Sequence, residues 1–386
     1  MSKKIIILPA EYPTKDNPLA GIFTKDQVNM FSNNGYDVTV IYNYFISLKK
    51  IQFKNITNFI LKKKIKKSNN VTEITNSLFS TFFYKLKLQL DYYLTKKYLI
   101  DYIKKKGKPD LIICHFAFPT GNTAEKIFRE YKIPYIVVEH STGYFTGLYN
   151  NFQIEVIKKA LNHSQLIIAV SSFLKKKLVK LTNTKILTIG NIVDKKFFLS
   201  KKKRINKKKI NFLIISELVK KKQVLNLVKI FKELDDENIK FQLRIVGDGP
   251  EYTSILNYVI ENNMRKNILI LGIKNKKQIS NLFDKTDYLV SCSKVETFGI
   301  TVAESIAKGV PTIVLDSGGP NDFINKSNSY SVTSFNNLKN KIKNIINKPK
   351  KFNRKIMRSF IYNRFSEKIL IKKYDELIKE VIKWKY

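Results

Sequence analysis

Residues 296–304 read Glu296-Thr297-Phe298-Gly299-Ile300-Thr301-Val302-Ala303-Glu304, with Gly309-Val310-Pro311 shortly after. Ile300, Ala303, Ile306 and Ala307 recur at helical spacing, and Gly309 ahead of Pro311 is a stop signal, so the pattern predicts a helix over 300–308. Glu296 then sits in the loop before the helix and Glu304 inside it. Gly299 lets the backbone come close to a ligand, and the unbonded amides of a helix start suit a diphosphate. One carboxylate can take sugar hydroxyls on one side of that diphosphate, and the other can take ribose hydroxyls on the other side. An ionised carboxylate accepts two hydroxyl donors at once and holds them more strongly than a neutral side chain does. Two glutamates at this spacing arise by chance in many helices. The specificity lies in the joint pattern: acid, Phe-Gly, a second acid in an Ala-rich helix, then Gly-Val-Pro opening a strand.

Outward from this stretch, Val314-Leu315-Asp316-Ser317-Gly318-Gly319-Pro320-Asn321-Asp322 reads as a strand running into a glycine loop. The first half alternates strands at 4–9, 36–41, 71–78, 110–116, 135–139 and 166–171 with helical stretches such as 24–33. A second series of strands follows at 210–216, 241–246, 268–271, 288–292 and 312–315. Alternation of this kind predicts an α/β protein with doubly wound parallel sheets, whose ligands sit at the carboxyl ends of the strands. Residues 201–209 are nearly all basic and lack apolar periodicity, so they read as a linker between a first domain, 1–200, and a second, 210–365. The end of the chain, 366–386, reads as an amphipathic helix with Ile369, Leu370, Tyr374, Leu377 and Val381 on one face.

These motifs together resemble the GT-B glycosyltransferases of family 4, over nearly the whole chain. The resemblance implies two Rossmann-like domains facing a central cleft, the first on the acceptor side and the second binding a nucleotide sugar. It also implies that the last helix crosses back to the first domain. His140, which follows an apolar strand, matches a family histidine that reaches the donor sugar, which implies a catalytic role in positioning and electrostatics at the anomeric centre. Glu296 is the second residue to which the resemblance gives a catalytic role. Gly21 matches the glycine loop after the first strand, where bare backbone faces the diphosphate; the family often has two glycines there and this chain has one. Phe298, Gly299, Ile300, Thr301 and Glu304 match the donor-binding run, and Gly247 and Gly249 match a turn beside the nucleotide base. Lys222 fits the family's diphosphate lysine, but Glu217 stands where an arginine is usual, and an acid facing a leaving diphosphate opposes charge stabilisation. Either the alignment shifts, or Glu217 points away, or a neighbouring lysine compensates. Lys220 and Lys221 read as a solvated face. Asp322 replaces the family's usual Glu.

The implied reaction is that of a hexosyltransferase: a sugar moves from a nucleoside diphosphate, UDP being the most frequent in the family, to a hydroxyl acceptor with retention at the anomeric carbon. No residue presents itself as a covalent nucleophile, so the expectation is front-face attack with the leaving phosphate taking the proton. The chain has no Asp-x-Asp pair, so no metal site and no cofactor beyond the nucleotide-sugar co-substrate are expected. The acceptor class implied is a glycan or lipid-linked glycan of the cell envelope, such as a capsular polysaccharide or lipopolysaccharide. Two other readings of the chain are a non-catalytic polyanion binder and a GT-B enzyme acting on the sugar nucleotide itself.

The bulk composition bears on these choices. The 386 residues are 44% hydrophobic and 12% aromatic, which suits two globular domains and not a disordered polycation. Net charge is +40, yet only seven of the 71 basic residues are Arg, and the lysines are spread along the whole chain. Base-reading proteins depend on Arg forks, so no specific nucleic-acid partner is expected. A cationic surface attracts an anionic membrane more usefully. No apolar run approaches the ~18 residues of a membrane span. The opening Met1-Ser2-Lys3-Lys4-Ile5-Ile6-Ile7-Leu8 is too short for a signal peptide and reads as a first strand. The expectation is a cytoplasmic protein, with peripheral docking on the inner face of the plasma membrane as its extension. Residues 44–67 and 79–106 are both basic and aromatic; Phe79, Phe83, Leu86, Leu90 and Tyr93 recur at helical spacing and read as a helix face packed on the sheet, ahead of membrane docking. Cys114 and Cys292 lie in apolar strands and read as inert buried thiols.

Overall fold

The computed structural model describes residues 2–14, 17–46, 62–79, 84–199 and 209–383. The chain forms two compact units: Met1–Ile192 with Leu370–Tyr386, and Val193–Ile369. The first unit carries β1 (Lys4–Pro9), β2 (Asp37–Ile46), β3 (Lys62–Ser68), β4 (Val71–Phe79), β5 (Leu111–His115), β6 (Tyr135–Glu139), β7 (Leu166–Ala169) and β8 (Ile186–Thr188). They form one sheet in the order β3-β4-β2-β1-β5-β6-β7-β8. Every pairing is parallel except β3 with β4. Strands β5, β6 and β7 are buried along their whole length, as a parallel sheet covered on both faces requires. The order reverses between β1 and β5, so the carboxyl ends of those two strands open the switch-point crevice of this unit.

The second unit carries β9 (Ile210–Ile215), β10 (Phe241–Val246), β11 (Ile268–Ile270), β12 (Tyr288–Ser291), β13 (Thr312–Leu315) and β14 (Ser329–Val332). Its sheet runs β11-β10-β9-β12-β13-β14, all parallel. Its switch point falls between β9 and β12, which places the loop after β9, with Glu217 and Lys222, beside the loop after β12, with Glu296.

Several expectations need correction. The first unit ends at Ile192 rather than at residue 200. Phe197 is buried against Phe283, and the Val193 amide donates to the Phe365 carbonyl at 2.9 Å, so this segment belongs to the second core. Of the expected 201–209 linker only Lys209 lies among the described residues. The sequence reading also missed β3. It reads Lys-Lys-Lys-Ile-Lys-Lys-Ser and is stable as a strand only because it is an exposed sheet edge, where lysines also discourage pairing with other chains.

The last helix, Glu367–Lys383, packs in the first unit, but its buried face is Leu370, Ile371, Tyr374, Ile378 and Val381. Ile369 and Leu377, expected on that face, are half-buried. Tyr374 meets Phe31 edge-on at 5.5 Å, which sets the rotation of the helix. In the helix Tyr84–Lys106, Leu86 and Tyr93 are 40% and 64% exposed, while Leu88, Asp91, Tyr92, Thr95 and Leu99 face inward. Asp91 is buried because Asn43 Nδ2 donates to it at 2.9 Å and the Thr123 hydroxyl donates to its other oxygen. A hydrophobic-stripe reading cannot anticipate a satisfied buried acid. Phe79 belongs to β4, and Phe83 lies outside the described residues.

Candidate functional site

In the second unit the helix Ile300–Lys308 begins and ends where the sequence places it. Gly299 caps it in the left-handed region at φ 83°, and no side chain caps its first turn. The first amides, at Ile300 and Thr301, are therefore not used by a cap and point out of the helix start. At its far end Lys308 is buried and donates to the Leu199 carbonyl and to Ser280 Oγ, with Asp284 Oδ2 3.2 Å away, which anchors the helix.

The loop before the helix is held backbone to backbone against the glycine loop after β13. The Glu296 amide donates to the Ser317 carbonyl at 2.8 Å, and the Gly319 amide donates to the Glu296 carbonyl at 2.8 Å. A Cβ on Gly319 would lie 2.3 Å from the Thr297 carbonyl carbon and 2.6 Å from the Phe298 nitrogen, so only glycine fits this approach. Phe298, expected in the donor-binding run, has a ring that serves the core: it packs against Phe323 at 5.2 Å and Phe365 at 5.0 Å. It can meet a ligand only through its backbone. Glu304 is buried in the second turn of the helix.

Lys222 and Glu296, read separately from the sequence, form an ion pair; their side chains are 18% and 17% exposed. The same Glu296 oxygen also accepts from Ser293 Oγ at 2.8 Å. Glu217 is exposed and has no hydrogen bond or ion pair from its side chain among the described residues. Of the three explanations open at the sequence level, this is the one in which Glu217 turns to solvent. Lys220 and Lys221 are exposed as expected, and Asp322 is exposed at the end of the glycine loop. Gly247 and Gly249 lie against the backbone of Ser216 and Leu218, beside the loop that carries Lys222. That packing accounts for glycine at both positions without a ligand. The Cys292 thiol is pushed up to about 12 by burial, and burial raises Cys114 as well; both are inert.

In the first unit Gly21 caps the helix Ile22–Asn33 with a positive φ of 55°, its Cα set against the Glu11 backbone. Two residues on, the Phe23 ring lies 4.3 Å from the His140 ring, so the glycine loop and His140 are neighbours here. Glu139 beneath them is fully buried and accepts from the amides of Ala117, His140 and Ser141 and from the Tyr144 hydroxyl, at 2.8–2.9 Å. Burial raises its carboxyl pKa against the pull of those donors. His115, which the sequence marks only as ending a strand, has its Nδ1 3.0 Å from His140 Nε2. Burial holds both rings neutral: His115 is pushed down to about 3, and His140 falls well below its ordinary value through burial first and His115 second. Also in this unit, a cavity of about 230 Å³ opens beyond β1 and β2, lined by Tyr42, Tyr44, Phe45, Tyr84 and Phe118 with Lys87 at 5.3 Å from the Tyr84 ring centre. Sequence spacing could not reveal it, since its rings come from three separate segments.

Among the described residues no helix is long and apolar enough to cross a membrane. The model of Glycosyltransferase Family 4 matches residues 20–197, and that of Glycosyl transferases group 1 matches residues 195–363. The chain is 30% identical over 262 residues to an uncharacterized glycosyltransferase of Methanocaldococcus jannaschii, covering 66% of this chain and 71% of that one. It is 24% identical over 344 residues to the putative teichuronic acid biosynthesis glycosyltransferase TuaC of Bacillus subtilis, covering 84% and 83%. In fold it resembles Anabaena HepE, solved in complex with UDP and glucose, with a TM-score of 0.73 over 98% of this chain and 100% of that one at 14% identity.

Proposed function

The chain belongs to the group 1 glycosyltransferases, family 4, with the GT-B fold, and from that premise we propose that it transfers a sugar from a UDP-sugar to a hydroxyl of an envelope glycan or lipid-linked glycan. The observation that carries the proposal is the cluster at the switch point of the second unit. The uncapped start of the 300–308 helix, the Lys222 ammonium and the Glu296 carboxylate all lie in loops at the carboxyl ends of β9 and β12. In this reading the Ile300 and Thr301 amides and Lys222 hold the diphosphate, Glu296 takes sugar hydroxyls and Glu304 takes the ribose. Gly247 and Gly249 let the base approach, and Gly21 offers bare backbone to the diphosphate. The charge on the leaving diphosphate is met by an ammonium and helix amides, so the reaction proceeds without a metal. The acceptor oxygen bonds to the anomeric carbon on the face from which the C–O bond to phosphate breaks, and the leaving phosphate takes the acceptor proton. His140 meets the sugar as a neutral donor or acceptor, not as a cation.

The relative named for teichuronic acid biosynthesis favours an envelope polysaccharide acceptor, and the aromatic-lined cavity of the first unit suits a sugar ring, whose apolar face packs on aromatic side chains. Ligand-detected NMR with UDP, GDP and ADP tests the donor site: UDP should bind selectively, and Glu304→Ala should weaken it. Equal binding of all three, insensitive to the substitution and abolished by salt, would mean polyanion attraction alone. With turnover established, a product of inverted anomeric configuration by NMR would refute retention. Lys63, Lys64, Lys66 and Lys67 of β3, together with exposed Tyr84, Leu86 and Tyr93, are the surface proposed for docking on an anionic bilayer. Flotation with phosphatidylglycerol-containing liposomes at physiological salt should carry the protein upward, and failure to float removes the docking.

A further inference from the structure

The cavity of the first unit opens at the carboxyl ends of β1, β2 and β5, where a doubly wound sheet takes its ligands, and its wall includes Pro9, Phe45 and Phe118. A row of rings leads out of it. Tyr84 meets Phe118 at 6.4 Å between centroids, Phe118 meets Tyr149 edge-on at 6.2 Å, and the Tyr149 hydroxyl donates to Ser141 Oγ at 2.7 Å. Ser141 follows His140 in the chain, so the row runs from the cavity to the His140 loop within one unit. Tyr84 is exposed and Phe118 and Tyr149 are half-buried, so part of each side chain is open to a ligand. Lys87 stands in the cavity wall, half-buried, with its ammonium 5.3 Å from the Tyr84 ring centre and 5.9 Å from that of Phe45. It has no carboxylate or hydrogen-bond partner among the described residues. Asp91, the one acid among the wall residues, does not neutralise it: no ion pair joins the two, and the Asp91 oxygens accept from Asn43 Nδ2 and the Thr123 hydroxyl. Lys85 lies over the Phe152 ring at 5.6 Å and likewise has no carboxylate among the described residues. Both lysines fall in the first turn of the Tyr84–Lys106 helix, where no acid stands and where a cation opposes the helix dipole. An anion brought by a ligand relieves that repulsion and gives the half-buried ammonium a partner.

Resting on the reading of this cavity as the place of an acceptor sugar, we propose that the acceptor is an acidic oligosaccharide whose units pack along Tyr84, Phe118 and Tyr149, and that Lys87 selects it by pairing with its anionic group, a uronate carboxylate or a sugar phosphate. A sugar ring lays its apolar face on an aromatic ring and keeps its hydroxyls at the edge, so successive rings hold successive units without reading each one. The ammonium supplies the discrimination. A neutral glycan leaves Lys87 with its aromatic contacts alone, whereas an acidic one gives it a charge-assisted hydrogen bond in a wall partly closed to water. The row ends beside His140, so the unit nearest that residue is the one that receives the new sugar.

Ligand-detected NMR titrations of the full chain, saturated with UDP at physiological salt, compare three probes: hyaluronan tetrasaccharide for the carboxylate, glucose 1-phosphate for the phosphate, and neutral chitotetraose. At least one acidic probe should bind more tightly than chitotetraose. Lys87→Gln should weaken that probe about tenfold, the low end for a hydrogen bond to a charged group, and leave chitotetraose unchanged. Whichever acidic probe depends on Lys87 identifies the anion. Lys105→Gln removes the same charge from the exposed far end of the same helix and should change nothing. Tyr84→Ala should weaken both tetrasaccharides alike, by about fivefold. Tyr84 is exposed and Lys87 half-buried, so both variants should fold and bind UDP as the wild type does. Equal losses in Lys87→Gln and Lys105→Gln mean general attraction to a polycation and overturn the proposal. Chitotetraose bound as tightly as the acidic probes overturns it too, as does failure of both acidic probes to bind. Affinities for both tetrasaccharides that Tyr84→Ala leaves unchanged defeat instead the placement of the acceptor in this cavity, the reading on which the proposal rests.

Discussion

Lys222→Met should lower kcat about 10²–10³-fold, the usual effect of losing one preorganised donor to a developing negative charge. The neighbouring structure leaves Lys222 few substitutes. Glu217 occupies the expected arginine position and is exposed, and Lys220 and Lys221 are exposed as well. Lys222 alone of the charged residues in this run is half-buried, and it is paired with the Glu296 carboxylate. Charge on the leaving diphosphate grows toward the transition state, so kcat and kcat/KM should fall together. Lys222→Arg keeps the charge but alters its shape, and should retain part of the activity. Since the ammonium and the Glu296 carboxylate share one contact, the double variant Lys222→Met/Glu296→Gln should lose less than the product of the two single losses. Turnover within threefold of wild type in Lys222→Met would remove this lysine from the proposed diphosphate site.

Gly319→Ala should destabilise the second unit by about 3 kcal/mol, at the upper end of overpacking effects, and abolish UDP binding. The new methyl would meet the Thr297 carbonyl and the Phe298 nitrogen at 2.3–2.6 Å, and these are backbone atoms that cannot swing aside. Relief requires parting the glycine loop from the 296–299 loop, which breaks the two hydrogen bonds through Glu296 and moves the start of the 300–308 helix. Gly35→Ala is the control: Gly35 has a positive φ of 84° but nothing within 4 Å of an added Cβ. It should cost only the backbone strain, about 1 kcal/mol. Urea unfolding and UDP titration of both variants decide the matter. Gly319 has no positive φ, so a loss there no larger than at Gly35 would mean that the loops part easily and that the close approach does not explain the glycine.

The helix over 300–308 was legible to the residue because its evidence is local: apolar spacing, a glycine before it and Gly309 after it. Strands β1, β6, β10 and β13 were legible for the same reason, as short apolar runs between turn residues, and together with the motif around Glu296 they were enough to imply the fold and the family. The faces of the two amphipathic helices were read only in part. Each depends on which partners the sheet supplies, as with Asp91 held by Asn43 or Tyr374 against Phe31.

The sequence alone therefore determined the alternation of elements, the two-sheet class and the identity of the chemical groups around Glu296 and Glu304. Tertiary structure decided which of those groups touch. Lys222 meets Glu296 across 74 residues because β9 and β12 are sheet neighbours, and His115 meets His140 across 25 because β5 and β6 are. Periodicity and turn chemistry act between residues close in the chain, whereas a contact between the ends of two strands exists only once strand order and register bring those ends side by side.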